Sequence, residues 1–152
     1  MGYNMNMKKS LLLILLLIVF SMGTHFAFAD DDDNGMPVRF DLQRTDYRGA
    51  HLERFNFSGM NLEGFNFEKA KLDKANFTGA NLKNANFKGA DVEEAKFDNA
   101  NLENANFENA DLEDSSLLNA NITNTCFKNA ELEYAIWPNG KLCSAGSVSS
   151  CW

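Results

Sequence analysis

Histidine is nearly missing from this chain. Two occur in 152 residues, and beyond the first 29 residues only His51 is left. No G-x-S-x-G, H-E-x-x-H or phosphate-loop spacing appears. An enzyme needs a cleft where polar groups converge, and no long insertion is present to build one, so no catalytic residue, cofactor or metal centre is expected. Positive charge is also scarce: 14 Lys and Arg stand against 21 Asp and Glu, a net charge of −7. That balance speaks against nucleic acid as a partner. Long apolar stretches are absent but for one, Leu11 to Phe20, which is well short of the ~20 residues a membrane-spanning helix requires. Cysteine occurs three times, at Cys126, Cys143 and Cys151.

The short apolar run has a specific context. Lys8 and Lys9 precede it, and Ala27-Phe28-Ala29 follows it as an A-x-A site. This is the layout of a secretory signal peptide, residues 1–29, cleaved after Ala29. No Cys follows the run, which speaks against a lipoprotein. Residues 30–36 begin with four aspartates, Asp30 to Asp33, and read as a solvated acidic linker. Removing Lys8 and Lys9 from the 14 basic side chains leaves 12 against 21 acidic ones, a net charge of −9. The expected destination is the periplasm or the exterior.

What the chain has in abundance is a beat of five. Every fifth residue from Leu42 to Leu142 is apolar or aromatic, without exception. Such a period specifies architecture before anything else does. It fits neither the 3.6-residue period of a helix nor the two-residue period of a strand, so the chain must turn a corner once per repeat. Two residues before each centre Ala predominates (Ala70, Ala75, Ala80, Ala85), and the residue between is usually Asn or Asp. Alternation along a short strand points Ala and the centre inward and the Asn outward. Two residues after the centre come Gly or Asn, such as Gly59, Gly79, Asn99 and Asn104. These tolerate the positive φ that the third residue of a type II turn needs. The fold is therefore all-β, a solenoid of three-residue strands and bends.

The centres alternate Leu and Phe through Leu62, Phe67, Leu72, Phe77, Leu82 and Phe87. If like stacks on like, a coil holds an even number of repeats. Two could not enclose a Phe and six would leave a void, so four repeats make a coil of 20 residues, about five coils in all. Charge supports this register: at steps of twenty, Arg48, Glu68, Lys88, Glu108 and Lys128 alternate in sign, as do Glu63, Lys83 and Glu103. Coils stack roughly 4.8 Å apart, where opposite charges become favourable neighbours. Asn61, Asn81, Asn101 and Asn121 line up outward, as do Asn66, Asn86 and Asn106.

The tandem units ANFTG ANLKN ANFKG ADVEE AKFDN ANLEN ANFEN ADLED resemble the pentapeptide-repeat family, whose motif is A(D/N)LXX. The resemblance spans roughly residues 42–142 and implies a right-handed quadrilateral β-helix. Lys71, Lys96 and Cys126 depart from its Asn/Asp position; Ser115 and Thr125 depart from its Ala position. The helical region is expected over residues 37–142 with an N-terminal cap, in which Phe55, Met60 and Phe65 replace Ala to fill the first coils and Pro37, Val38 and Phe40 add a lid. Trp137, the largest centre, should close the far end.

Residues 143–152 form a Cys-containing tail. In an oxidising compartment Cys143 and Cys151 are the natural disulfide pair, although spacing alone does not prove connectivity. The tail resembles the W-x-x-G-x-x-C…S…C ending of some exported bacterial members. Cys126 points outward and is left over, either a tolerated thiol or the partner in an intermolecular disulfide.

One face breaks the alternation of charge. On the side of Val92, Leu112 and Leu132 stand Asp91, Glu93, Glu94, Asp111, Glu113, Asp114, Glu131 and Glu133, with no Lys or Arg between them. Stacked like charges repel mildly, so this face reads either as a solvated surface that aids solubility or as the candidate binding site. It suits a basic protein surface, or, as a weaker alternative, a divalent cation held through oxygen ligands. The leading expectation is an exported, non-enzymatic interaction module with a protein partner and no stable membrane insertion. Some members of the family mimic an acidic DNA duplex and inhibit type II topoisomerases; the signal peptide argues against that role here, since such targets are cytoplasmic.

Overall fold

The structure is a computed structural model that describes residues 26–31 and 37–151, with side chains from Asp41 onward. Most of the expected signal segment, residues 32–36 of the expected linker and Trp152 lie outside the described residues. No helix occurs among those described, and none is therefore long and apolar enough to cross a membrane.

From Asp46 to Ile136 the chain coils with a period of 20 residues. Parallel bridges join Asp46 to Asn66, Asn66 to Asn86, Asn86 to Asn106 and Asn106 to Cys126, and the other three sides repeat the pattern. From Tyr47 to Leu117 each apolar centre donates its N–H to a carbonyl of the next coil, as Phe87 does to Asn106 at 2.7 Å and Leu82 to Asn101 at 2.8 Å. From Asn66 to Ile136 the residue before each centre donates back to the previous coil, as Asn86 does to Phe65 at 2.9 Å. The two prolines of the chain, Pro37 and Pro138, bracket this run. Between them every residue has an N–H to give to the ladder.

The corners form as the composition expects. The carbonyl of each centre accepts the N–H three residues on, for example Ala80 to Phe77 at 2.9 Å, and the second turn residue has positive φ: 67° at Gly79 and 59° at Asn84. Outward asparagines close the turn by accepting the N–H two residues ahead, as Asn76 does from Thr78 at 3.0 Å. Their amides also link coil to coil, from Asn81 to Asn61 at 2.9 Å and from Asn86 to Asn66 at 2.9 Å. A stacked Asn is thus satisfied twice, once within its own turn and once by the coil beside it.

The interior is filled by rings and leucines. Phe67, Phe87 and Phe107 stack on one another, with centroids 5.1 and 4.7 Å apart, and meet Phe77 and Phe97 edge to face at 5.7 and 5.8 Å. The alternation of Leu and Phe along the sequence thus becomes separate stacks, with Leu62, Leu82 and Leu102 in another and all three fully buried. Each such side chain contributes about 1.5–3 kcal/mol by leaving water.

Ser115 takes an inward Ala position. It is fully buried and its Oγ has no hydrogen-bond partner, whereas Ala95 and Ala135, one coil to either side, bury only a methyl. An unpaired buried hydroxyl is costly, so Ser115→Ala should raise unfolding free energy by about 1 kcal/mol. Urea unfolding of the two proteins checks this; no gain would mean that the hydroxyl finds a partner in solution.

The N-terminal end is closed as expected by bulky residues turned inward. Phe55 and Phe65 are buried, with Phe55 against Phe57 at 4.4 Å and Phe65 stacked on Tyr47 at 6.2 Å. The Tyr47 hydroxyl donates to the Asp41 carbonyl at 2.8 Å and accepts its N–H at 2.7 Å. This anchors the end of strand β2 (Pro37–Asp41) to the first coil. Strand β1 (Phe26–Asp31) pairs antiparallel with β2, from Phe26 opposite Asp41 to Asp31 opposite Pro37. β1 runs through Ala29, the expected cleavage point.

At the other end the beat outlasts the coil. Trp137 packs on Phe127 at 5.1 Å but stays half-buried. Leu142, the last position of the beat, is 58% exposed, where the periodicity alone placed it inside. The reason is a reversal: Pro138 and Gly140 turn the chain, and Leu142 then pairs antiparallel with Ile136. The chain goes on to retrace the previous face, with Val148 antiparallel to Glu131.

Candidate functional site

The acidic residues come together on one side because the 20-residue coil stacks their strands. Bridges run from Lys71 to Asp91, Asp91 to Asp111, and Asp111 to Glu131. Beneath the outer carboxylates lie the buried Val92, Leu112 and Leu132. The three levels hold Asp91, Glu93 and Glu94, then Asp111, Glu113 and Asp114, then Glu131 and Glu133, all half-buried or exposed.

Some of these charges are tethered. Asp111 Oδ1 accepts the N–H of Glu113 at 3.0 Å and Asp91 Oδ1 that of Glu93 at 3.4 Å. Glu94 pairs with Lys74 at 3.1 Å, so a lysine does reach the patch from the coil below. Reading the sequence within each segment misses this pair; the step of twenty from Lys74 to Glu94 reveals it. At the top, Glu133 Oε2 accepts the Gly146 N–H at 3.3 Å, and a hydrogen bond from the Tyr134 hydroxyl to Glu133 holds that phenol above its ordinary pKa. Tyr134 and Gly146, both missed by a search for carboxylates, thus border the site.

The remaining carboxylates have no cation partner among the described residues. Glu113, in the middle level, is pushed above the usual carboxylate range, first by partial burial and then by Glu133, Asp111, Asp114 and Glu93. Elsewhere the alternation works as expected: Lys83 meets Glu103 at 2.9 Å, and Lys88 and Lys128 meet Glu108 at 2.8 and 3.6 Å. There Lys88 holds the Glu108 carboxyl below its usual range. The lower levels are the exception: Arg48 turns to Asp46 at 2.9 Å in its own turn, Glu63 accepts a hydrogen bond from Asn81 Nδ2 at 3.3 Å instead of meeting Lys83, and Glu68 has no ion pair among the described residues.

Glu113 therefore carries a prediction about pH. A carboxyl whose pKa is raised by folding destabilises once it ionises, and that penalty fades as pH falls through its folded value. Glu113→Gln should raise the melting temperature near pH 7, and the gain should shrink toward pH 4 as the wild-type carboxyl takes up its proton. An equal gain at both values would assign the effect to packing.

The cation alternative finds no support in this geometry. Among the described residues no three His, Cys, Asp or Glu side chains lie close enough together to hold a metal ion. The physical reason is the flat stack: carboxylates about 5 Å apart that all point outward do not converge on one centre. His51 is likewise a surface residue, paired with Glu53 at 3.1 Å.

The tail brings Cys143 and Cys151 side by side. Both are free thiols here, Cys143 buried and Cys151 half-buried. Burial, followed by the hydrogen bond and charge of Cys151, pushes the Cys143 thiol up to about 12. A thiol so protonated is a poor nucleophile at neutral pH. Cys126 is exposed on the last coil, above Asn106.

Two family models match the chain: a pentapeptide repeat region over residues 39–107 and eight copies of pentapeptide repeats over residues 95–133. Among solved structures the chain is similar to a pentapeptide repeat protein of the Arabidopsis thaliana thylakoid lumen, at 33% identity over 63% of this chain and 70% of that one, with a TM-score of 0.43. It is similar to one from the cyanobacterium Cyanothece 51142, at 26% identity over 73% and 78%, with a TM-score of 0.47. HetL, involved in heterocyst differentiation regulation in the cyanobacterium Nostoc, matches at 26% identity over 65% of each chain, with a TM-score of 0.42. No curated protein matches by sequence.

Proposed function

The chain belongs to the pentapeptide-repeat family, and from that premise we propose that it is an exported, non-enzymatic module that presents its acidic side to a basic protein surface. Its finer form in this reading is that of the family, a right-handed quadrilateral β-helix of about five coils. The observation that carries the reading is the lapse of charge pairing on one side. Lysines pair with Glu103 and Glu108 on the neighbouring faces, while Asp91, Glu93, Asp111, Glu113, Asp114 and Glu131, gathered on one side, have no cation partner among the described residues. Self-repulsion is unfavourable for folding, and a partner rich in Lys or Arg removes it while speeding encounter.

Export rests on Lys8, Lys9, the apolar run and the A-x-A site, and a Cys143–Cys151 disulfide fits an oxidising destination. A pull-down from the exported fraction should recover a partner with wild type and lose it with an Asp91→Lys/Glu93→Lys/Glu113→Lys variant. Equal recovery by both would remove the acidic face from the function. Finding the protein in the cytoplasm with residues 1–29 attached would overturn export and favour the DNA-mimic role instead.

A further inference from the structure

Beyond the reversal the chain has two arms, held in different ways. The near arm, from Gly140 to Cys143, joins the rod firmly. Trp137 donates to the Lys141 carbonyl at 2.8 Å and Cys143 to the Ala135 carbonyl at 2.9 Å. Leu142 pairs with Ile136, and Cys143, 1% exposed, sits in the hydrophobic core. A turn follows, in which Ser147 donates to the Ser144 carbonyl at 3.1 Å. The far arm, from Gly146 to Cys151, then crosses the last coil on the acidic side. There Leu132 donates to the Ser147 carbonyl at 2.9 Å and Ser149 to the Ala130 carbonyl at 3.0 Å. Asn129 donates to Ser149 Oγ at 2.8 Å, and Gly146 to Glu133 Oε2 at 3.3 Å.

Among the described residues, little besides these bonds holds the far arm down. Ser147 is buried, but its hydroxyl has no partner, and Val148 leaves its side chain 45% exposed. Ser149 takes a φ of 66°, which a residue with a Cβ disfavours. Hydrogen bonds exchanged for bonds to water add little net stability, and a buried unpaired hydroxyl offsets part of it. Yet the far arm ends at Cys151, whose thiol hydrogen-bonds with that of Cys143 and packs against the core. The sulfur at the loose end lies against the sulfur at the fixed end.

We propose that the tail is a strap, and that oxidation of Cys143 and Cys151 to a disulfide latches its far arm over the last coil. The latch deepens the reading of an exported module, since an oxidising compartment supplies the oxidant that sets it. In vitro it needs neither export nor a partner. Closing the strap also holds Gly146 against Glu133, and so fixes the top level of the acidic side.

The oxidant is a small-molecule or protein disulfide, R–S–S–R. Cys151, the more accessible thiol, gives its proton to solvent and attacks one sulfur of the oxidant. A Cys151–S–S–R bond forms, and R–S⁻ leaves and takes up a proton. Cys143 then attacks Cys151 Sγ. The intramolecular bond forms, and the second R–S⁻ leaves with the proton of Cys143. Two protein thiols are oxidised and one disulfide is reduced to two thiols. Reversal is slow. A reductant reaches Cys151 first and must expel Cys143 as a thiolate, which burial disfavours, and a thiol of raised pKa leaves slowly.

Amide hydrogen exchange on a Cys126→Ser protein, reduced and then oxidised with glutathione disulfide, tests the latch. In the reduced protein Leu132, Gly146 and Ser149 should be protected about tenfold less than Trp137 and Cys143, which the near arm holds. Oxidation should raise protection of the first three by about thirtyfold or more and close that gap. Mass spectrometry of single-thiol variants in the same background reads the order of attack. Cys143→Ser should gain glutathione on Cys151 about tenfold faster than Cys151→Ser gains it on Cys143. Equal protection of the two arms in the reduced protein overturns the latch, as does a gap that oxidation leaves unchanged. So does a bond that glutathione disulfide does not close, or Cys143 as the faster thiol. None of these results bears on export or on the acidic side, which the pull-down tests separately.

Discussion

Phe87→Ala should lower the unfolding free energy by about 3–5 kcal/mol. The ring is fully buried. It lies between Phe67 and Phe107 in its own stack and meets Phe77 and Phe97 at their edges. Removal therefore forfeits four ring contacts as well as the transfer term, and the neighbours are pinned by the ladder and cannot collapse into the space. In a solenoid each coil is stabilised by its neighbours, so a cavity in the middle weakens the coupling between the two halves. Denaturant unfolding should show the full loss together with a broadened transition. Phe127→Ala, at the end of the same stack with one coil beneath it and already 7% exposed, should lose less. Equal losses at the two positions, or a loss below about 1 kcal/mol at Phe87, would contradict the stacked core.

Closing the Cys143–Cys151 bond should stabilise the protein by about 2–3 kcal/mol, the chain-entropy value for a loop of this length. The two thiols already share a hydrogen bond, so little backbone movement is required. The tail they tie down supplies the hydrogen bonds for Leu132 and Trp137, and the gain should appear as a higher melting temperature of the cooperative transition. A strong reductant, or Cys143→Ser with Cys151→Ser, should abolish the gain; identical melts with and without reductant would show that the bond does not form. The reduced protein carries a second signature. Folding holds the neutral thiol of Cys143, whose pKa is raised from 9.0 to about 12. Its contribution is therefore intact below the ordinary thiol range and is lost as pH rises through the folded value.

Much of the site was legible because the period of twenty converts sequence distance into contact. Lys83 with Glu103, Lys88 with Glu108, and the Asn61–Asn81–Asn101–Asn121 ladder follow from counting alone. So does the acidic column, whose members are set in register by the bridges of the buried face. What counting could not supply is the choice a long side chain makes among several neighbours in reach. Arg48 prefers Asp46 in its own turn over Glu68 one coil away, since a local bidentate pair orders fewer atoms. Lys74 extends upward to Glu94 and shortens the uncompensated patch by one charge. Turn chemistry was legible at Gly79 and Asn84 but not at Glu94, Asp114 or Tyr134, which hold φ of 54°, 55° and 55°. There the ladder imposes a conformation that the residue itself disfavours.

The sequence by itself determined the repeat, the inward and outward positions, the four-sided coil and the side on which negative charge accumulates. Each depends only on periodicity, and a periodic backbone repeats its environment at every turn. The C-terminal end was decided by tertiary structure alone. Leu142 continues the beat yet faces water, because the reversal at Pro138 and Gly140 brings the tail back over the last coil rather than onward into another. Which edges are covered and that Cys143 meets Cys151 both follow from this reversal. A terminal coil lacks the neighbour that elsewhere dictates the conformation of its residues, so the repeat holds no information about it.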